Sequence, residues 1–139
     1  MSSPIKIILA DDHEMFKSEL KGLLEKNEDF KVVAQAADGE ELLLKIKSNK
    51  ADCIVLDLSM PNMDGLETLK VLKQRNPKIK VLVLTMQKDV EHFKKAMATG
   101  ASGYVLKDCA FDQLVLAIKL VIKGKNYVSP SISDFITEQ

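Results

Sequence analysis

Three features of the sequence predict an α/β domain built on a doubly wound, five-stranded parallel sheet. Short apolar runs recur along the chain, a segment of helical periodicity follows each one, and the five units succeed one another in strict alternation. Runs this short and uniformly apolar suit strands buried on both faces, as in a parallel sheet. Right-handed crossovers between such strands then lay helices over both sides.

Ile5 to Ala10 reads as the first strand, ending at Asp11-Asp12. Over residues 13–26, Phe16, Leu20, Leu23 and Leu24 fall on one helical face. Lys31 to Ala36 is the second strand, and Asp38-Gly39 caps a helix carrying Leu42, Leu43 and Ile46. Cys53 to Leu56 is the third strand and ends at Asp57. The loop from Leu58 to Gly65 leads into a helix marked by Leu66, Leu69, Val71 and Leu72. Ile79 to Leu84 is the fourth strand, ending at Thr85, and Val90, Phe93 and Met97 mark a helix that stops at Gly100. Ala101 to Leu106 is the fifth strand, ending at Lys107. Leu114, Ala117, Ile118, Val121 and Ile122 form the buried stripe of the last long helix, closed by Gly124. Residues 1–124 therefore read as one domain and 125–139 as a linker or short C-terminal helix. Residues 126–130 look like a break, with Ser129 and Pro130 as N-cap and first position of that helix.

The chain of 139 residues fits one domain with a sizeable core, and 46% hydrophobic with 29% charged residues is an ordinary globular balance. Lys+Arg and Asp+Glu both number 20, so the formal net charge is zero. Binding to a nucleic-acid backbone needs a basic excess, which this segment lacks. Cys53 and Cys109 have no metal-ligand spacing and are too few for a disulfide framework, so a reducing, cytoplasmic setting is expected. There is neither a signal pattern at Met1 nor an apolar stretch of membrane-spanning length.

In an open α/β sheet, ligands bind at the carboxyl ends of the strands, near the point where strand order reverses. The predicted strands deliver Asp11 and Asp12, Asp57, Thr85 and Lys107 to that edge. Each alone reads as a turn, a cap or solvated surface; their joint placement is what needs a chemical reason. Three carboxylates in one crevice repel unless a cation neutralises them. A hard divalent ion suits oxygen ligands, and Mg²⁺ commonly combines one or two carboxylates with waters and a phosphate oxygen. A phosphoryl substrate follows, with Lys107 as a point charge and Thr85 as a hydroxyl for its oxygens. Asp57 is then the nucleophile, because a carboxylate can form an acyl phosphate once the transferring charge is neutralised. His13 is expected as an exposed helix-start residue pointing away, and His92 as surface. Met60 and Met63 are expected to pack the loop, and Tyr104, by pattern alone, is a core aromatic.

The sequence resembles the response-regulator receiver domains of two-component signalling. The matching segments are Leu9-Ala10-Asp11-Asp12-His13, Val55 to Gly65, Val83-Leu84-Thr85 and Gly100 to Lys107. The resemblance covers residues 5–124 and implies a flavodoxin-like fold with strand order 2-1-3-4-5. It further implies that Asp57 is the phosphorylation site and that Mg²⁺ is held by Asp57, Asp12, the Ser59 carbonyl and, mostly through water, Asp11. Lys107 would contact the phosphoryl group, Thr85 would move toward it, and Tyr104 would change rotamer in step. Pro61 and Gly65 would shape the loop, with Gly65 opening the third helix. Met86 departs from the small residue usual after the threonine, which bears on the rate of transfer. The implied donor is a sensor histidine kinase or a small molecule such as acetyl phosphate. Phosphorylation-dependent homodimerisation is implied as well.

Gly103-Tyr104-Val105-Leu106-Lys107 and Tyr127-Val128-Ser129-Pro130 resemble the NarL/FixJ (LuxR-type) subgroup. There a helix-turn-helix domain follows the receiver, so a DNA-binding output domain beyond Gln139 is expected; the alternative is a stand-alone receiver acting through protein contacts. Three other functions fit less well. A phosphohydrolase with its aspartyl nucleophile on the first strand usually has a second Asp two residues later, whereas Asp57 lies on the third strand and Ser59 follows it. A flavodoxin-like electron carrier needs a Ser/Thr/Gly-rich loop after the first strand, where Asp11-Asp12-His13-Glu14 would repel a flavin phosphate. A degenerate receiver would lack site residues that are all present here.

Overall fold

Apolar runs of four to seven residues do become parallel strands: Ile5–Ala10 (β1), Phe30–Ala36 (β2), Cys53–Asp57 (β3), Lys80–Thr85 (β4), Gly103–Leu106 (β5) and a short Tyr127–Val128 (β6). They alternate with Glu14–Glu25 (α1), Gly39–Ser48 (α2), Gly65–Arg75 (α3), Val90–Thr99 (α4) and Ala110–Ile122 (α5). The computed structural model describes residues 3–58, 64–86, 90–130 and 132–133. Every pairing is parallel, in the order β2-β1-β3-β4-β5-β6. The expected order 2-1-3-4-5 is therefore observed, with one strand added at the β5 edge. The chain reverses direction across the sheet between β1 and β3, which puts Asp11, Asp12 and Asp57 around the switch point.

Side-chain alternation sorts the core into two layers. Ile7, Leu9, Cys53, Val55, Leu82, Leu84 and Val105 pack against Leu20 and Leu24 of α1 and against Leu114, Ala117, Ile118 and Val121 of α5. The intervening Ile8, Ile54, Leu56, Val81, Val83 and Tyr104 pack against α2, α3 and α4 through Leu42, Leu69, Leu72 and Ala96. Asp57 continues the parity of Cys53 and Val55, and Lys107 that of Val105, so both belong to the α1/α5 side. Thr85 continues the parity of Val81 and Val83 and belongs to the other side.

Two local devices hold the site edge in place. Asp38 caps α2 by accepting a hydrogen bond from the Glu41 N–H (2.8 Å), and Asp64 caps α3 from the Leu66 N–H (2.7 Å). Gly65, the first residue of α3, presses against the residue after Asp57. A Cβ there would sit 2.5 Å from the Leu58 Cα and 2.7 Å from its carbonyl oxygen, so any side chain would push β3 and α3 apart. The α4 stop is also as expected: Gly100 adopts φ +115°, which other residues avoid.

The segment after Gly124 does not simply break away. Tyr127 and Val128 pair with Gly103 and Tyr104, and the Tyr127 and Ser129 N–H groups donate to the Ser102 and Tyr104 carbonyls at 3.1 and 3.0 Å. Two residues are too few to read as a strand from periodicity, so a break was the natural expectation. Ser129 does precede a helical turn starting at Pro130, but its hydroxyl is engaged elsewhere. It accepts from the Leu106 N–H (3.2 Å) and donates to Gln113 Oε1 (2.8 Å), and Ile132 is buried in the cluster that holds Tyr104. This segment is thus tied to β5 immediately before Lys107.

Candidate functional site

Asp11, Asp57 and Lys107 converge at the carboxyl edge, and all are buried, at 2%, 0% and 6% exposure. The Lys107 ammonium lies 2.9 Å from Asp11 Oδ2 and 3.1 Å from Asp57 Oδ2, bridging the two carboxylates. Burial acts most strongly on this lysine and by itself pulls its pKa down. The hydrogen bond to Asp11 and the charges of Asp57 and Asp11 together outweigh that pull and hold it above the ordinary lysine value. Lys107 is therefore charged at neutral pH.

Asp12 is the exposed member. One ligand atom from each of Asp11, Asp12, His13 and Asp57 lies within 4.8 Å of the others, a spacing at which a single cation can be shared. Formally, three carboxylates and one ammonium leave two negative charges, which suits a divalent ion with oxygen ligands. Thr85 ends β4, is 3% exposed and pairs in register with Leu106, the residue before Lys107. Ser59, Met60, Pro61 and Met63 lie outside the described residues.

Two expectations need correction. His13 is exposed at the start of α1, as expected, but it does not point away. As N-cap its backbone is extended (φ −85°, ψ 99°), its N–H donates to Asp11 Oδ1 at 2.8 Å, and its ring turns over the site. His13 Nδ1 lies 3.0 Å from Lys107 Nζ. The same Nδ1 lies 3.3 Å from Asp11 Oδ1 and 3.6 Å from Asp12 Oδ1, so the ring faces both the ammonium and the carboxylates. Nothing in the spacing of Asp11-Asp12-His13 reveals that direction, which the cap conformation decides. The fifth strand, in turn, starts at Gly103 and not at Ala101, which makes Tyr104 its second residue. Tyr104 is fully buried, edge-on to Phe93 of α4 with ring centroids 5.3 Å apart.

An open cleft of about 610 Å³ leads to Lys107, flanked by Met15, Phe16 and Met86. Met15 and Met86 are 77% and 61% exposed, so the approach to the acidic centre is apolar. Met86 faces the solvent beside the site.

The parallel α/β sheet carries an acidic, lysine-bridged centre at its switch point. Residues 7–119 match the response regulator receiver domain family, and the chain belongs to that family. It is 37% identical over 129 residues to the transcriptional regulatory protein DegU of Brevibacillus brevis, covering 93% of this chain and 55% of that protein. The chain thus spans about half the length of that relative. A LuxR-family two-component response regulator from Aurantimonas sp. SI85-9A1 superposes with a TM-score of 0.93 at 33% identity, over 98% of this chain and 97% of that one. The isolated receiver of RcsB from Salmonella enterica serovar Typhimurium, solved with the phosphomimetic BeF₃⁻, gives 0.89 at 29% identity, over 95% and 98%. The NarL/FixJ (LuxR-type) likeness read from the motifs is matched by these relatives.

Lys107 bridges two buried carboxylates, so its loss should be costly. In metal-free buffer, Lys107→Met is expected to destabilise the domain by about 3 kcal/mol in urea unfolding. Asp57→Asn, which leaves Lys107 paired with Asp11, should cost much less. Equal stability of Lys107→Met and wild type would show that the bridge is not formed in solution.

Proposed function

We propose that this chain is a two-component receiver that accepts a phosphoryl group on Asp57 from a sensor histidine kinase, in a Mg²⁺-dependent reaction. The observation that carries this reading is the buried Asp57 carboxylate, 3.1 Å from Lys107 Nζ and within the acidic cluster. A carboxylate oxygen of Asp57 attacks phosphorus, the P–N bond of the phosphohistidine breaks, and the leaving imidazole takes up a proton. Lys107 follows the developing charge onto a phosphoryl oxygen, and the Thr85 hydroxyl donates to another. Asp11, Asp12 and Asp57, with the Ser59 carbonyl, would hold the ion. When bound, it neutralises carboxylate and phosphoryl charge.

Burial serves this chemistry because charge attraction strengthens where water is scarce. The chain assists its own phosphorylation and dephosphorylation without turning over a separate substrate. The expected setting is cytoplasmic; no helix among the described residues is long and apolar enough to cross a membrane. DNA contact would come only through a C-terminal output domain beyond Gln139, the arrangement that the LuxR-type likeness supports. A stand-alone receiver acting by protein contact remains the second reading.

Output needs a bistable element, because the local response to one phosphoryl group is small. Thr85 and Tyr104 sit on neighbouring strands facing α4, so their movement would reach the surface around α4 and β5. A shift there is proposed to favour homodimers.

Incubation with Mg²⁺ and acetyl phosphate should add one phosphoryl group by intact mass. Asp57→Asn should abolish the addition, and Asp12→Ala should slow it strongly by weakening Mg²⁺ binding. Equal labelling of wild type and Asp57→Asn would refute the assignment.

Sedimentation with and without beryllofluoride checks the dimer. An increase in mass is expected with the mimic. An unchanged mass at concentrations up to about millimolar would exclude dimerisation through this segment.

A further inference from the structure

Lys107 has a fourth neighbour that the chemistry above does not use. Its Nζ lies 4.9 Å from the ring centroid of Phe16, in the first turn of α1. Attraction between an ammonium and an aromatic face extends to about 6 Å and is strongest where water is excluded. Lys107 is 6% exposed, so the contact is of the stronger kind. Phe16 is itself braced: the Phe111 ring of α5 meets it at 79° with centroids 5.7 Å apart. On its helical face Phe16 reads as a core residue with Leu20 and Leu24, and it does pack on that layer. The ring contact to the lysine is additional.

The geometry points to Phe16 as a positioning residue for Lys107 in phosphoryl transfer. This inference rests on the proposed phosphoacceptor function. The other partners of the ammonium are Asp11 Oδ2, Asp57 Oδ2 and His13 Nδ1. The carboxylate partners change roles in the reaction: a cation draws on Asp11 and Asp57, and a phosphoryl group occupies an Asp57 oxygen. An aromatic face offers no directional acceptor to be competed for, so its pull persists as the ammonium slides from carboxylate to phosphoryl oxygen. Phe16 thereby keeps the lysine at the site during the exchange of its partners and limits the conformations it must lose at the transition state.

The test replaces Phe16 by ring-fluorinated phenylalanines, which keep nearly the same shape while weakening the negative face, and by Leu and Tyr. The rate of Asp57 labelling by acetyl phosphate should fall stepwise with fluorination, about three- to tenfold over the series and in Phe16→Leu. Phe16→Tyr should stay near wild type. Phe111→Leu, which removes the brace but not the ring over Lys107, controls for the aromatic pair and should lose less than the fluorinated forms. In the metal-free protein, NMR relaxation of the Lys107 Cε should show greater motion in step with the rate loss. A flat rate series with labelled wild type would overturn the role of Phe16 and leave the phosphoacceptor reading standing. So would a loss that tracks melting temperature instead of ring charge. A wild type that takes no phosphoryl group would overturn both.

Discussion

Two carboxylates buried at the end of a parallel sheet, held by one buried ammonium, constrain everything around them. Asp11 and Asp57 are 2% and 0% exposed, and isolated carboxylates in such positions would cost several kcal/mol each. Lys107 meets both at about hydrogen-bond distance and stays charged because of them. The resulting centre is stable enough to fold yet still formally short of positive charge once Asp12 is counted. That shortfall suits a divalent cation shared by the carboxylates.

The fold supplies what this centre needs. Parallel strands place their ends on one edge, and the reversal between β1 and β3 opens a crevice there. The close approach of Gly65 to Leu58 fixes where α3 starts relative to Asp57. On the far side of Lys107, Ser129 holds the Leu106 N–H and Gln113, and Ile132 shares a cluster with Tyr104. The strand that precedes the lysine is therefore hydrogen-bonded to the C-terminal segment.

Much of this was legible in the sequence, because strand, helix and cap signals agree locally. Val81 to Leu84 is apolar on both faces, Asp38 is followed three residues later by Glu41, and Gly100 stands where a helix must stop. Asp57 and Lys107 were legible through their strand-end placement and the family motifs. Other features depend on three-dimensional facts with no periodic trace. Tyr127–Val128 is too short to show a strand pattern, and its pairing is decided by the free edge of β5. The His13 ring turns inward because of the cap backbone, and Phe16 looks like any apolar helix residue until Lys107 is seen above its ring. Tyr104 read correctly as core, but its place within β5 depends on where the strand starts, at Gly103 and not Ala101.

The exchange of partners at Lys107 is measured most directly by a high-resolution structure of the domain with Mg²⁺ and beryllofluoride. The ammonium should leave Asp11 Oδ2, now 2.9 Å away, and contact a fluorine on Asp57 while remaining over the Phe16 ring. A lysine still bridging Asp11 and Asp57, with no contact to the fluoride, would contradict a centre in which one ammonium serves first the carboxylates and then the phosphoryl group.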